Sequence, residues 1–208
     1  YFKSSVKQAP RYAQQGKPGS LKNISLELKM IAEVGLIGLP NVGKSSLLKT
    51  LTAANPKIAN YPFTTLSPNL GVMRFIDKEI VIADIPGIIK GAANGLGLGH
   101  DFLRHIDRTK CLILVIDVSI DESPEQILNT SHIISNELEQ YNTNLLSKLK
   151  LIVLSKIDLL PADRLNLIMS TFNSNEIPTL AISSQTHTGI DILVKKVAEI
   201  LSKENDRS

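Results

Sequence analysis

The chain has 208 residues, 43% apolar and 21% charged, which suits one globular domain with a small appendage and excludes a chain too polar to bury a core. No apolar run approaches the ~18 residues of a membrane span, and a formal net charge of +3 permits contact with RNA without requiring it. The single cysteine, Cys111, has no partner for an internal disulfide and sits in the apolar run Cys111–Ile116, which points to a buried, reduced thiol and a cytoplasmic protein without membrane insertion.

The chain opens on Tyr1 rather than methionine and reads as a cut in a longer protein. Residues Tyr1 to Lys29 set six Lys and Arg among Gly, Pro, Ser and Gln with no helical period, and only Ile24–Lys29 alternates as a half-buried strand does. This stretch reads as the tail of another domain; a disordered basic arm is the alternative. From Ala32 onward strands alternate with helices, the pattern of a parallel sheet covered on both faces. Strands are predicted over Glu33–Leu39, Gly71–Ile76, Glu79–Asp84, Lys110–Asp117, Lys150–Ser155 and Thr179–Ser183. The second and third are joined by the tight turn Asp77-Lys78, so one edge strand should run antiparallel to the rest. Helices are predicted over Lys44–Ala53, from Gly99 to about Arg108, from Ser123 to about Tyr141, from Pro161 to about Phe172 and from Thr188 to about Lys203. The third has the full start chemistry, with Ser123 as cap, Pro124 at the first helical position and Gln126 closing a capping box.

Between the first strand and the first helix lies Gly38-Leu39-Pro40-Asn41-Val42-Gly43-Lys44-Ser45, followed by Ser46, which fits G-x-x-x-x-G-K-[ST]. Backbone N–H groups and the positive helix end would face an anion there. Lys44 would neutralise the outer phosphates, and the Ser45 hydroxyl would ligate magnesium. The strand Val81–Asp84 ends in Asp84-Ile85-Pro86-Gly87, where a carboxylate can hold a magnesium-bound water and a glycine N–H can approach the terminal phosphate; a plain strand-ending turn is the alternative. The long connection holding Phe63, Thr64, Thr65, Leu66 and Ser67 would bring one threonine to magnesium and to that phosphate, and Thr65 is chosen; local turn bonds are the alternative.

Past a later strand comes Ser155-Lys156-Ile157-Asp158. A carboxylate at Asp158 can accept from the N1–H and exocyclic amine of guanine, which adenine does not present, while the Lys156 stem lies over the base. After the last strand, a backbone N–H of Ser183-Ser184-Gln185 would donate to guanine O6.

In this order the segments GLPNVGKSS, NYPFTTLSPNLGV, DIPGIIKGAANGLGLGHDFLRHIDRT and the opening FKSSVKQAPRYAQQGKPG resemble translation-factor-type GTPases, and more closely the Obg family of ribosome-associated GTPases, over nearly the whole chain. The resemblance implies a Ras-like α/β fold with a mostly parallel six-stranded sheet. It further implies that residues 1–31 are the end of the glycine-rich Obg domain and residues 32–208 the GTPase domain, with switches around Thr64-Thr65 and over Asp84–Gly99. It implies a role in assembly or surveillance of the large ribosomal subunit, with rRNA and ribosomal proteins as partners of a monomer.

Two departures stand out. Ser155 occupies a place where this class usually carries Asn or Thr, so guanine binding is expected to be weaker. Ile88 follows Gly87 where many GTPases place a water-orienting glutamine, so hydrolysis is expected to be slow. Asn41 resembles the asparagine of potassium-using GTPases and is a candidate ligand for K+ beside the nucleotide, or else a loop former that tolerates left-handed geometry. His100 and His105 are five apart and miss a shared helical face, and His132 and His187 stand alone, so the histidines are expected to be structural or surface residues. The expected activity is Mg2+-dependent GTP hydrolysis, with Lys44, Thr65 and Gly87 at the reacting phosphate. The rivals are a P-loop ATPase or small-molecule kinase, and an RNA- or ribosome-binding module with incidental hydrolysis.

Overall fold

The computed structural model describes residues 15–24, 32–52, 57–58, 68–85, 107–173 and 176–205. Seven strands form one sheet: β1 (Ala32–Ile37), β2 (Lys57–Ile58), β3 (Asn69–Phe75), β4 (Lys78–Asp84), β5 (Thr109–Asp117), β6 (Leu149–Ser155) and β7 (Thr179–Ala181). Their order is β2-β3-β4-β1-β5-β6-β7. Four contacts are parallel (β1 with β4 and β5, β5 with β6, β6 with β7), and β3 runs antiparallel to both β4 and β2.

The middles of the central strands, Val34–Ile37, Cys111–Ile116 and Leu151–Leu154, are apolar on both faces because both faces are covered. On β5, Cys111, Ile113 and Val115 face one core while Leu112, Leu114 and Ile116 face the other; β6 divides Leu151 and Val153 from Ile152 and Leu154 in the same way. The first core is closed by α1 (Lys44–Leu51) through Leu47, Leu48 and Leu51, and by α5 (Ile190–Asn205) through Leu193, Val197 and Leu201. The second is closed by α2 (Pro124–Tyr141) through Ile127, Ile134 and Leu138, by α3 (Thr143–Lys148) through Leu145, and by α4 (Ala162–Phe172) through Ile168 and Phe172. These spacings of three, four and seven put each apolar set on one helical stripe. The predicted cap of α2 is present: Gln126 N–H donates to Ser123 Oγ at 3.3 Å and Ser123 N–H donates to Gln126 Oε1 at 2.8 Å.

The α/β architecture and the six predicted strands stand, with three differences. Lys57–Ile58 adds a seventh strand outside β3, so the antiparallel strand lies one in from the edge. The hairpin turn is Ile76-Asp77, with Phe75 paired to Lys78, one residue before the predicted turn. The short helix α3, started by Asn142 Oδ1 accepting from Asn144 N–H at 3.0 Å, has no counterpart among the predicted helices. Residues 15–24 carry no regular structure. The strand expected over Ile24–Lys29, apart from Ile24, and the helix expected from Gly99, apart from its last residues, lie outside the described residues.

Strands β1, β4, β5 and β6 run parallel, so their carboxyl ends open on one edge of the sheet. Ligands bind across this edge in open α/β folds.

Candidate functional site

The first loop on that edge leaves β1 at Gly38, whose φ of 149° and whose place against β5, where a Cβ would come within 2.3 Å of Val115 O, admit only glycine. Asn41 adopts the left-handed conformation at φ 63°, the loop-shaping role foreseen for it. Gly43, at φ 100°, starts α1, whose first turn has no side-chain cap and no acidic residue. The amide donors and positive dipole end of α1 are thereby left for an anion.

Lys44 is 7% exposed, and its Nζ donates to Gly38 O and Leu39 O, both at 3.0 Å, arching the side chain over the loop. Burial pulls its ammonium below the usual lysine range, against the opposing pull of Asp84. A phosphate in the loop would return the solvation that burial removes.

Ser45 Oγ donates to Asp84 Oδ2 at 2.5 Å. Asp84 closes β4, is 5% exposed, and its Oδ1 has no hydrogen-bond partner among the described residues. A buried carboxylate oxygen with no donor is costly. A hydroxyl beside that oxygen is a donor set suited to Mg2+, which takes few protein oxygens and keeps several waters. The described side chains therefore fit the ion: Ser45 would ligate it and Asp84 would hold one of its waters.

The second loop leaves β6. Ser155 is 4% exposed, and its Oγ lies 2.6 Å from Val42 O and 3.0 Å from Ile116 O, so the short hydroxyl reaches the phosphate loop directly. Lys156, left-handed at φ 63°, donates from Nζ to Asn41 O at 2.9 Å and to Asp117 Oδ2 at 2.6 Å. Asp117 ends β5, and its Oδ1 accepts from the Ser119 N–H at 2.9 Å and hydroxyl at 2.6 Å. Burial raises the Asp117 carboxyl, but the bonds from Lys156 and Ser119 outweigh it and hold the group below the usual carboxylate range. Ile157 and Asp158 follow in a single 3-10 turn, with the Asp158 side chain exposed and available to a base. The third loop is tied in by Ile157 N–H to Ile182 O at 3.3 Å. Ser183, fully buried, caps that loop by accepting from Gln185 N–H at 3.2 Å and Thr186 N–H at 3.0 Å, and Ser184 O accepts from Thr50 Oγ1 on α1 at 3.4 Å.

The structure thus brings together Gly38–Ser46, Asp84-Ile85, Ser155–Asp158 and Ser183–Gln185. Phe63, Thr64, Thr65, Leu66, Ser67, Pro86, Gly87 and Ile88 lie outside the described residues. His132 and His187 are both exposed. Sequence reasoning missed Asp117. The available signal was a second acid closing an apolar strand, but only the β5–β6 register, Asp117 opposite Ser155, puts it beside Lys156.

A strand, a G-x-x-x-x-G-K-S loop and a helix, with an acid closing the adjacent strand and a Ser-Lys-Ile-Asp loop bonded to the first, define a P-loop GTPase domain. Solved domains of this fold align with it. The G domain of the T. maritima FeoB iron transporter matches at TM-score 0.60 and 28% identity, over 81% of this chain and 97% of that one. Aquifex aeolicus Era bound to GDP and AlF4− matches at TM-score 0.57 and 27% identity, over 81% and 55%. Residues 33–156 match the family described as 50S ribosome-binding GTPase. GTPase Obg of Persephonella marina is 48% identical over 99% of this chain and 61% of its own length, and GTPase Obg of Finegoldia magna is 48% identical over 99% and 49%. The chain belongs to this family of GTPases and, within it, to the Obg group that its sequence resembles. It spans about half to three-fifths of the length of those two relatives.

Proposed function

We propose that the chain is a guanine-nucleotide switch that binds GTP with Mg2+ and slowly hydrolyses it to GDP and phosphate, acting in assembly or surveillance of the large ribosomal subunit. The observation that carries this reading is the direct bonding of the Ser155-Lys156 loop to the carbonyls of Asn41 and Val42, which ties a guanine-reading carboxylate, Asp158, to a phosphate cradle. Loop amides and the α1 end bind the phosphates, and Lys44 offsets charge on the outer two. Ser45, with Asp84 behind it and Thr65 from the first switch, is the set that would hold Mg2+, which would supply positive charge to the outer phosphates. Asp158 accepts two hydrogen bonds from guanine and rejects adenine, which lacks both donors in that arrangement. Water attacks in line, the Gly87 N–H meets the terminal phosphate, and the aliphatic Ile88 positions no water, which keeps the reaction slow. The segments around Thr65 and over Gly87–Gly99 change with the phosphate, so the output is a change of surface.

Residues 1–31 belong in this reading to a preceding Obg domain and residues 32–208 to the GTPase domain of a cytoplasmic monomer. No helix of the described residues is long and apolar enough to cross a membrane. The Asn41 side chain is the proposed ligand for K+, and faster hydrolysis in potassium than in sodium buffer at equal ionic strength is the expected result. The test of the whole is hydrolysis of GTP and of ATP with and without large ribosomal subunits: slow GTP hydrolysis that subunits accelerate, with ATP inert, is expected. Equal turnover of ATP would overturn the guanine assignment. Should Lys44→Ala abolish nucleotide binding and still bind subunits as the parent does with either nucleotide, the switch would be overturned and a passive ribosome-binding module would remain.

A further inference from the structure

Two non-glycine residues of the site hold left-handed backbones, Asn41 and Lys156, both at φ 63°, and one hydrogen bond joins them, Lys156 Nζ to Asn41 O at 2.9 Å. A lysine ammonium at the end of four methylenes is a mobile donor, and a single carbonyl does not fix it. The second acceptor here is Asp117 Oδ2 at 2.6 Å, on a carboxylate whose side chain is 12% exposed. The two oxygens of Asp117 have separate tasks. Oδ1 closes the turn after β5 by accepting from Ser119, while Oδ2 faces only the ammonium among the described residues.

We propose that Asp117 is a positioning residue for nucleotide retention: its Oδ2 holds Lys156 against the Asn41 carbonyl and so locks the crown of the phosphate loop to the guanine-reading loop. The idea rests on the guanine-nucleotide reading above and extends it to a residue that touches no nucleotide. With the ammonium held, the Lys156 stem is fixed for the base and the Asn41 carbonyl is fixed for the loop, so base and phosphates are gripped by one connected unit. With it released, each loop moves alone and the nucleotide escapes sooner, since changes of this kind act mainly on dissociation.

The division of oxygens supplies the test. Asp117→Asn keeps an acceptor toward Ser119 and turns an amide N–H2 toward the ammonium; the flipped amide would instead oppose two Ser119 donors, so the first orientation is favoured. Release of a fluorescent GDP is followed for the parent, Asp117→Asn, Lys156→Met, the double variant and Ser119→Ala, each with its melting temperature. Release about tenfold faster in Asp117→Asn and in Lys156→Met, with the double variant no faster than Lys156→Met, is expected. Ser119→Ala should melt lower and release GDP at the parental rate. Parental release from Asp117→Asn, additive effects in the double variant, or equal acceleration by Ser119→Ala would each overturn the proposal and leave Asp117 a turn residue. Should Asp117→Asn not fold, parental release from Lys156→Met would overturn it alone. A parent that binds no GDP would instead overturn the guanine-nucleotide reading.

Discussion

Replacing Ser155 by Ala removes one oxygen whose hydrogen-bond partners are both backbone carbonyls. Ser155 Oγ is buried, 2.6 Å from Val42 O and 3.0 Å from Ile116 O, and its single proton serves the nearer carbonyl best. A net hydrogen bond is worth about 1 kcal/mol, but an acceptor stranded in a dry site raises the loss to about 1–3 kcal/mol. Taking about 2 kcal/mol, a domain of this size should lose roughly 4–8 °C of melting temperature. The stranded carbonyl is Val42, inside the phosphate loop, so the loss also falls on the bound state. If the freed loop forfeits about 1.4 kcal/mol of its arrangement for phosphate, GDP affinity drops about tenfold. Thermal melts and GDP titration of Ser155→Ala against the parent read both numbers. A melting temperature within about 1 °C of the parent, together with unchanged affinity, would refute the claim that this hydroxyl braces the loop.

Ser45→Ala deletes the only described side chain bonded to Asp84 and, with it, the proposed magnesium ligand; the Mg2+ concentration for half-maximal GTP hydrolysis should rise about tenfold or more, as read in a magnesium titration. Burial, aided by Glu204, pushes the Cys111 thiol up from 9.0 to about 12. The folded chain therefore keeps a proton that the unfolded chain sheds above pH 9.0, and stability linked to this group is complete below that pH and falls as pH rises toward 12. The denaturant-unfolding advantage of the parent over Cys111→Ala should shrink by about 1.4 kcal/mol per pH unit in that window, and a constant difference would contradict it. Ile76 is 84% exposed and left-handed at φ 54°, a conformation costly for a β-branched residue. Ile76→Asn should gain about 1 kcal/mol in urea unfolding; a loss would mean that Ile76 makes a contact the backbone strain serves.

What the sequence revealed was what local chemistry decides. The α2 cap was legible because Ser123, Pro124 and Gln126 satisfy one another within four residues. The β5 and β6 runs were legible because six apolar residues in succession, Cys111–Ile116, and four, Leu151–Leu154, suit strands covered on both faces. The hairpin register was not. A turn at Asp77-Lys78 would also keep Met73, Phe75, Ile80 and Ile82 on one face, so alternation admits both registers. The observed one is distinguished by its cross-strand pairs, Val72 with Val81 and Arg74 with Glu79, the latter an ion pair at 3.0 Å. Strand β2, two residues long, has no pattern to read. Asp117 was illegible for a different reason: its partner lies 39 residues away, and only the strand order brings them together.

That order also accounts for how a serine serves at a place where the resemblance leads to an expected Asn or Thr. The loop rises from β1, with β4 on one side and β5 then β6 on the other. From β4, Asp84 holds Ser45 at the helix end of the loop; from β6, Ser155 and Lys156 hold Val42 and Asn41 at its crown. The brace from β6 must cross β5. Ser155 Oγ lies 3.0 Å from Ile116 O on that strand as well as bonding Val42 O, and Lys156 bonds Asp117 at the strand's end, so β5 is a stepping stone for both. A short hydroxyl suffices because the backbone it starts from is already close, while the longer reach to the crown falls to Lys156, whose ammonium needs a carboxylate at the end of β5 to stay in place. Asp117 therefore belongs to the same solution as Ser155, and a variant with an amide at 155 should depend on Asp117 less.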